Sequence, residues 1–246
     1  MDRYYLDSIR LKRPLPPESW LGGLPAVRSL GEGLSFCQPV TFLVGENGTG
    51  KSTLLEAMAV ACGFNPEGGT RNFTFSTRAT HSELHEYLTV ARKAYPRDGF
   101  FLRAESFYNV ATNIDELDEE PGAGPSLIDS YGGVSLHRQS HGESFLSLVE
   151  HRFGGQGLYL LDEPEAALSP SRQMTLLAAV HQLVRRDSQF IIATHSPILM
   201  AYPGAWIYQL TEAGVRQTDY RETEHYQLTR RFLEDPERML RYLLEE

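Results

Sequence analysis

The sequence predicts an α/β domain built around parallel strands that are covered on both faces. Three observations carry this prediction. Residues 39–44 (PVTFLV) are a short, apolar, β-branched run that leads through a glycine-rich turn into a stretch of helix formers. Residues 158–161 (LYLL) and 190–194 (FIIAT) are two more apolar runs, as expected of strands with no solvated face. Residues 172–185 between them read as a helix, so strand, helix and strand alternate as in a parallel unit.

The bounds set by composition agree. A chain of 246 residues, 41% hydrophobic and 22% charged, is long enough for one large α/β domain with a sizeable core. Its formal net charge of -9 argues against a surface that is wholly adapted to nucleic acid or anionic membrane, although it leaves room for a local basic patch. The two cysteines, Cys37 and Cys62, form no C-x-x-C, which suits a reducing compartment and gives no metal knuckle. The opening MDRYY lacks an apolar signal core, and no stretch approaches transmembrane length. A soluble, cytoplasmic protein without membrane insertion is therefore expected. No internal repeat or long heptad run is present.

Taken in order, residues 4–11 alternate well enough for an opening strand, and Pro14, Pro16 and Pro17 then force a loop. The strand at 39–44 and the helix at 53–61, which Gly63 can stop, enclose the turn GENGTGKS. Residues 65–133 are less regular. They hold an expected helix at 82–94, a strand at 99–104 and an acidic loop at 114–125 (IDELDEEPGAGP) that has little to bury and reads as solvated. Ser140 with Glu143 three residues later is a capping box opening an apolar helix. Residues 222–246 read as two short helices split at Asp235-Pro236.

The turn carries the first chemistry. Gly45, Gly50, Lys51 and Ser52 occupy the fixed places of G-x-x-x-x-G-K-[ST] between a strand and a helix. Glycines let successive backbone N–H groups curl around an anion, and the helix N-terminus adds its positive dipole end. Gly45, Glu46, Asn47, Gly48, Thr49, Gly50, Lys51, Ser52 and Thr53 are thus the expected nucleotide cradle. Lys51 supplies a point charge for the β- and γ-phosphates, and the Ser52 hydroxyl can ligate Mg²⁺. Asp162 and Glu163 leave a buried strand at its carboxyl end, where carboxylates face the ligand crevice. They can divide two tasks, Asp162 toward the metal and Glu163 toward water. Ser140, Gly142 and Glu143 sit at a helix N-terminus suited to an anion, with Gly142 pointing to a close approach. His195 lies just past the strand at 190–194, where a γ-phosphate sensor would stand. His81 and His85 stand one helical turn apart with Glu86 beside them, and two such histidines can share a metal, but H-x-E-x-H has the wrong spacing for a zincin and no third ligand is evident, so an exposed or domain-contact helix face is the expected reading.

These segments, in this order, resemble the ATP-binding-cassette (ABC) ATPases, and most nearly the stand-alone bacterial AAA-family ATPases related to those of DNA repair and chromosome maintenance. Residues 45–53 are similar to Walker A and 158–163 to Walker B. Ser140, His141, Gly142 and Glu143 are similar to the signature motif, residues 165–169 to the D-loop, and His195 to the switch histidine. The resemblance implies one P-loop NTPase domain over 1–246, with a mostly parallel sheet, an antiparallel β portion and a helical lobe at about 65–150. It implies Mg²⁺-dependent hydrolysis of ATP, with Lys51, Glu163 and His195 as catalytic residues. It also implies that two copies pair head to tail around two ATP molecules, so that Ser140, Gly142 and Glu143 of one copy meet the γ-phosphate held by the other. A conformational change imposed on DNA or on a protein partner would follow by analogy. Three departures stand out. No glutamine lies between Lys51 and Arg138, so Glu105 is the positional substitute for the Q-loop ligand of Mg²⁺. His141 stands where glycine is common, and Ser169 where transporter ATPases carry aspartate. Arg10, Lys12, Arg13 or Phe36 could contact adenine. Two other functions compete: an ATP-gated dimerisation switch with negligible turnover, and the ATPase subunit of a membrane transporter.

Overall fold

The computed structural model describes residues 5–71, 82–103, 112, 133 and 135–244. Along them come β1 (Leu6–Leu11), α1 (Pro25–Arg28), β2 (Leu34–Ser35), β3 (Val40–Gly45), α2 (Lys51–Ala61), β4 (Leu88–Arg92) and β5 (Asp98–Arg103). The second half holds α3 (His141–Arg152), β6 (Gly157–Asp162), α4 (Pro170–Val184), β7 (Gln189–Ala193), α5 (Pro197–Met200), β8 (Trp206–Thr211), β9 (Gly214–Thr218), α6 (Glu224–Glu234) and α7 (Pro236–Leu244). Among the described residues no helix is long and apolar enough to cross a membrane.

The main sheet has the order β5-β6-β7-β3-β8-β9. Its first five strands are parallel, and β9 closes the edge antiparallel. A smaller antiparallel sheet, β2-β1-β4, packs beside it. The apolar runs of β3, β6 and β7 are explained by their neighbours. Phe42, Val44, Tyr159, Leu161, Phe190 and Ile192 face one way, onto Phe145 and Leu148 of α3 and Leu176 of α4. Leu43, Leu158, Leu160 and Ile191 face the other way, onto Leu54, Leu55 and Met58 of α2 and Leu6 and Ile9 of the smaller sheet. Successive strand residues point to opposite faces, so a strand covered on both faces must be apolar at every position. Each such side chain contributes roughly 1.5–3 kcal/mol by leaving water.

One buried amide fastens the two sheets. Gln189 Oε1 accepts the Tyr5 and Leu6 N–H groups at 2.9 and 2.8 Å, and its Nε2 donates to the Leu6 carbonyl at 2.8 Å. Tyr208 helps from the other side, donating its hydroxyl to the Ser35 carbonyl at 2.8 Å.

Most expected elements stand within a few residues of their expected bounds, including the strand before the glycine-rich turn and the break at Asp235-Pro236. Residues 82–94 do not form a helix. A 3-10 turn at Glu83–Tyr87 gives way to β4, whose Leu88–Thr89–Val90 pairs with Leu11, Arg10 and Ile9 of β1. Edge pairing and burial of Leu88 outweigh the helix formers around it. The region 65–150 is accordingly not one helical lobe, because β4 belongs to the antiparallel sheet and β5 to the main sheet. The acidic loop at 114–125 lies outside the described residues.

The topology gathers the site. In register, Leu43 of β3 lies beside Ala193 of β7, Ala193 beside Asp162 of β6, and Asp162 beside Arg103 of β5. The segments that follow these strands therefore leave the sheet at one edge, as expected of the ligand crevice in an open parallel sheet.

Candidate active site

The phosphate loop is shaped by two backbone constraints. At Gly45 a Cβ would overlap the Leu210 carbonyl oxygen, and at Gly50, the N-cap of α2, φ is 91°. A side chain at either place would be opposed by close contact or left-handed geometry. The Thr49 hydroxyl donates to the Glu46 carbonyl at 2.8 Å and tightens the curve. Lys51 is buried, and its Nζ donates to the Gly45 and Glu46 carbonyls at 2.8 and 3.0 Å. Burial pushes its pKa down, opposed by the carboxylates of Glu163, Asp162, Glu46 and Glu165. A cleft of about 540 Å³ runs beside the loop, lined by Pro25, Arg28, Gly48, Leu210 and Glu212 among others. None of Arg10, Lys12, Arg13 and Phe36 lines it. Phe36 is fully buried against Tyr208 and is a core residue rather than an adenine contact.

The Ser52 hydroxyl donates to Asp162 Oδ1 at 3.0 Å across 110 residues of sequence. A hydroxyl and a carboxylate so placed are the hard oxygen donors that Mg²⁺ takes, and they fit it with room for phosphate oxygens and water. Beside them Arg103 bonds Glu56 at 2.8 Å and approaches Asp162 at 3.9 Å. Glu105, the third expected metal ligand, lies outside the described residues. Among the described residues no group of three or more His, Cys, Asp and Glu could hold a metal by itself. His81 is likewise outside them, and His85 lies in the 3-10 turn with its Nδ1 3.1 Å from the Ser82 carbonyl.

Glu163 has left-handed backbone angles, φ 49° and ψ 51°, which cost a non-glycine residue about 1–2 kcal/mol. Its N–H donates to the Ala193 carbonyl at 2.9 Å, which turns the carboxylate out over the strand ends. His195 Nε2 stands 3.5 Å from Glu163 Oε1, while His195 Nδ1 is 3.1 Å from His225 Nε2 on α6. Burial is the main cause that lowers the pKa of His195, reinforced by Lys51 and His225 and opposed by Glu163. Glu165 Oε1 accepts the His195 backbone N–H at 2.6 Å, and burial pushes this carboxyl up. Ser196 anchors the other side, donating to Gln173 Oε1 at 2.5 Å and capping α5.

At the start of α3, Glu143 accepts both the N–H and the hydroxyl of Ser140, at 3.1 and 2.6 Å, and pairs with Arg172 at 3.1 Å. A Cβ on Gly142 would lie 2.8 Å from the Ala167 carbonyl, so only glycine lets the helix seat on the turn at Pro164–Ala167. Of the predicted residues, Lys51, Ser52, Asp162, Glu163 and His195 converge. Ser140, Gly142 and Glu143 pack instead against the segment after β6. Sequence reasoning missed His225, Glu56 and Arg103. His225 is 30 residues from His195, and no local pattern marks it.

Known proteins resemble this chain over most of its length. Residues 27–110 match a family described as an AAA domain, and residues 134–201 an AAA domain family described with AbiEii toxins of type IV toxin–antitoxin systems. The cobalt import ATP-binding protein CbiO of Salmonella typhimurium is 26% identical over 203 residues, 77% of this chain and 70% of that protein. These matches support an ABC-type ATPase. A plant relative of this ATPase, ABC transporter G family member STR2 of Medicago truncatula, is 26% identical over 171 residues, which is 64% of this chain but only 24% of the relative. The ATPase also shares its fold with cbiO1 from Clostridium perfringens, part of the ABC transporter complex cbiONQ, at a TM-score of 0.51 and 15% identity over 98% of this chain and 99% of that one. A solved ATP-binding cassette of another ABC transporter is equally similar, with a TM-score of 0.51 and 15% identity over the same shares.

Proposed function

We propose that this ATPase holds ATP and Mg²⁺ at the carboxyl ends of β3, β6 and β7 and cleaves the γ-phosphate there. The observation that carries the reading is the convergence of Lys51, the Ser52–Asp162 pair and the Glu163–His195 pair on one sheet edge. The curved backbone from Gly45 to Thr53 and the Lys51 ammonium hold the β- and γ-phosphates. The Ser52 and Asp162 oxygens hold Mg²⁺, which neutralises charge on those phosphates. The nucleoside enters the cleft beside the loop. Glu163 takes a proton from water as the water oxygen bonds to the γ-phosphorus. The bond to the bridging oxygen breaks, and ADP and phosphate leave. His195 hydrogen-bonds the γ-phosphate and holds the water in line.

In this reading two copies pair head to tail. The exposed Ser140 and the α3 N-terminus of one copy then complete the γ-phosphate site of the other, supported by the rigid seating of Gly142. Turnover opens and closes the pair and moves a nucleic-acid or protein partner. The CbiO relatives favour a second reading, the ATPase subunit of a membrane transporter. Copurification with a membrane partner would decide for it, and stimulation by duplex or single-stranded DNA for the first. The catalytic assignment is tested by single-turnover cleavage. Glu163→Gln keeps the shape but loses the base, so cleavage should slow by about 10²–10⁴-fold with ATP still bound. Cleavage at the parental rate would remove Glu163 from the mechanism.

A further inference from the structure

His225 belongs to neither the phosphate loop nor the strand ends, yet its Nε2 lies 3.1 Å from His195 Nδ1. It occupies the first turn of α6, two residues after the N-cap Thr223, whose own hydroxyl accepts the Tyr226 N–H. The helix start is therefore tied down, which fixes where the His225 side chain leaves the backbone. The other nitrogens of the pair, His195 Nε2 and His225 Nδ1, are buried without a hydrogen-bond partner.

We infer that His225 is a positioning residue that fixes the tautomer of His195, donating its Nε2–H to His195 Nδ1 so that His195 presents Nε2–H to the γ-phosphate. The inference rests on the γ-phosphate role given to His195 above.

Two neutral arrangements of the pair exist. If His195 donated from Nδ1, its Nε2 would be a lone pair facing the Glu163 carboxylate oxygen 3.5 Å away, and two acceptors would oppose each other. His225 would then also keep a buried N–H at Nδ1 with no acceptor, the costlier kind of orphan. If His225 donates from Nε2, the His195 Nε2–H faces an acceptor, and His225 keeps only a lone pair at the buried Nδ1. Both neighbours choose the second arrangement. Burial lowers the pKa of both rings, so the pair stays neutral and its tautomers matter. A phosphate oxygen accepts and does not donate, so only the chosen tautomer serves it. The orientation of one imidazole by a partner on its other nitrogen is a general way to set which nitrogen reacts. Here the partner comes from the C-terminal helix pair, which thereby reads into the nucleotide site.

The test combines kinetics with ¹⁵N NMR of the full chain. His225→Ala should lower kcat about tenfold with KM for ATP within about twofold, as expected when an outer partner of a working histidine is removed. His225→Gln, whose amide N–H reaches a place near the lost Nε2–H, should recover most of that loss, whereas a role in packing alone would leave the amide no better than alanine. In the parent, His195 should show one neutral tautomer, protonated at Nε2, and His225→Ala should show a mixture. Parental kcat in His225→Ala, equal loss in the alanine and glutamine variants, or an Nδ1–H tautomer of His195 in the parent would each overturn the inference. The role of His195 itself is judged separately by His195→Ala. If that variant keeps parental kcat, the phosphate role falls, while the spectra still decide the tautomer.

Discussion

The two ends of β5 and β6 make opposite use of charge. At their amino ends Asp98 accepts from Arg152 at 2.9 Å, from the Gly154 N–H at 2.8 Å and from the Tyr159 hydroxyl at 2.7 Å, and Tyr159 in turn accepts the Gly155 N–H at 3.2 Å. Burial would raise the Asp98 pKa, but these partners more than offset it and hold the carboxyl below its usual range. The carboxyl ends are different. Glu163 is strained, Lys51 is buried among carbonyls, and Glu165 Oε2 and His195 Nε2 have no hydrogen-bond partner. One end is a closed network that fixes the sheet. The other keeps strain and unmet polar atoms, as sites of chemistry do, and they point to where a substrate's charge would be received.

Substitutions can break that contrast. The largest effect is expected from Lys51→Ala, since truncating one side of a buried charged contact costs about 2–5 kcal/mol, or roughly 30- to 5,000-fold in ATP affinity. Calorimetric titration with ATP and Mg²⁺ measures it, and parental affinity would contradict the phosphate-loop assignment. His195→Ala should lower kcat by about 10²-fold, the typical loss of one donor aimed at developing charge, while ATP binding stays intact. Asp98→Ala should do the reverse. Removing the acceptor of a partly buried pair and two more hydrogen bonds should cost about 2 kcal/mol in denaturant unfolding, with kcat close to the parent's where the variant is folded.

The smallest effect sharpens the contrast through pH. In the proposed mechanism His195 works neutral, and its pKa in the folded chain is lowered from the ordinary histidine value of about 6.5. The acid limb of kcat/KM, which reports the free enzyme, should therefore lie below about pH 6.5, and a limb at or above that value would contradict the burial of the ring. The same direction governs stability. Between the folded and unfolded pKa values the unfolded chain binds more protons, so the contribution of His195 to stability declines as pH falls through about 6.5. Asp98 has the depressed carboxylate pattern, so its contribution holds through that window and is lost only as pH falls below the ordinary value of about 3.9.

The two ends also differ in what the sequence reveals. The phosphate loop is legible because its chemistry is written in contiguous residues, where each glycine answers a backbone need at a fixed spacing. Asp162, Glu163 and His195 are legible because strand ends of a parallel sheet must come together once the strands are recognised. Asp98 is not, since its partners Arg152, Gly154 and Tyr159 come from α3, the turn after it and β6, and only the fold assembles them. His225 is hidden for the same reason. The helix expected at 82–94 failed because local propensity there competes with the open edge of β1, a partner that lies far away in sequence. Phe36 looked free to stack on a base because sequence does not show the Tyr208 ring that covers it.

In the proposed function the unmet groups at the carboxyl ends are completed by ATP and by a second copy. Sedimentation of Glu163→Gln with ATP and Mg²⁺, with ADP and Mg²⁺, and without nucleotide tests this most directly, because the variant should hold ATP without cleaving it. The predicted result is a mass that doubles with ATP alone and is lost again in Glu163→Gln with Ser140→Arg, whose bulk at the exposed start of α3 would block the approach of the second copy. A mass that is the same in all three conditions would contradict the composite site.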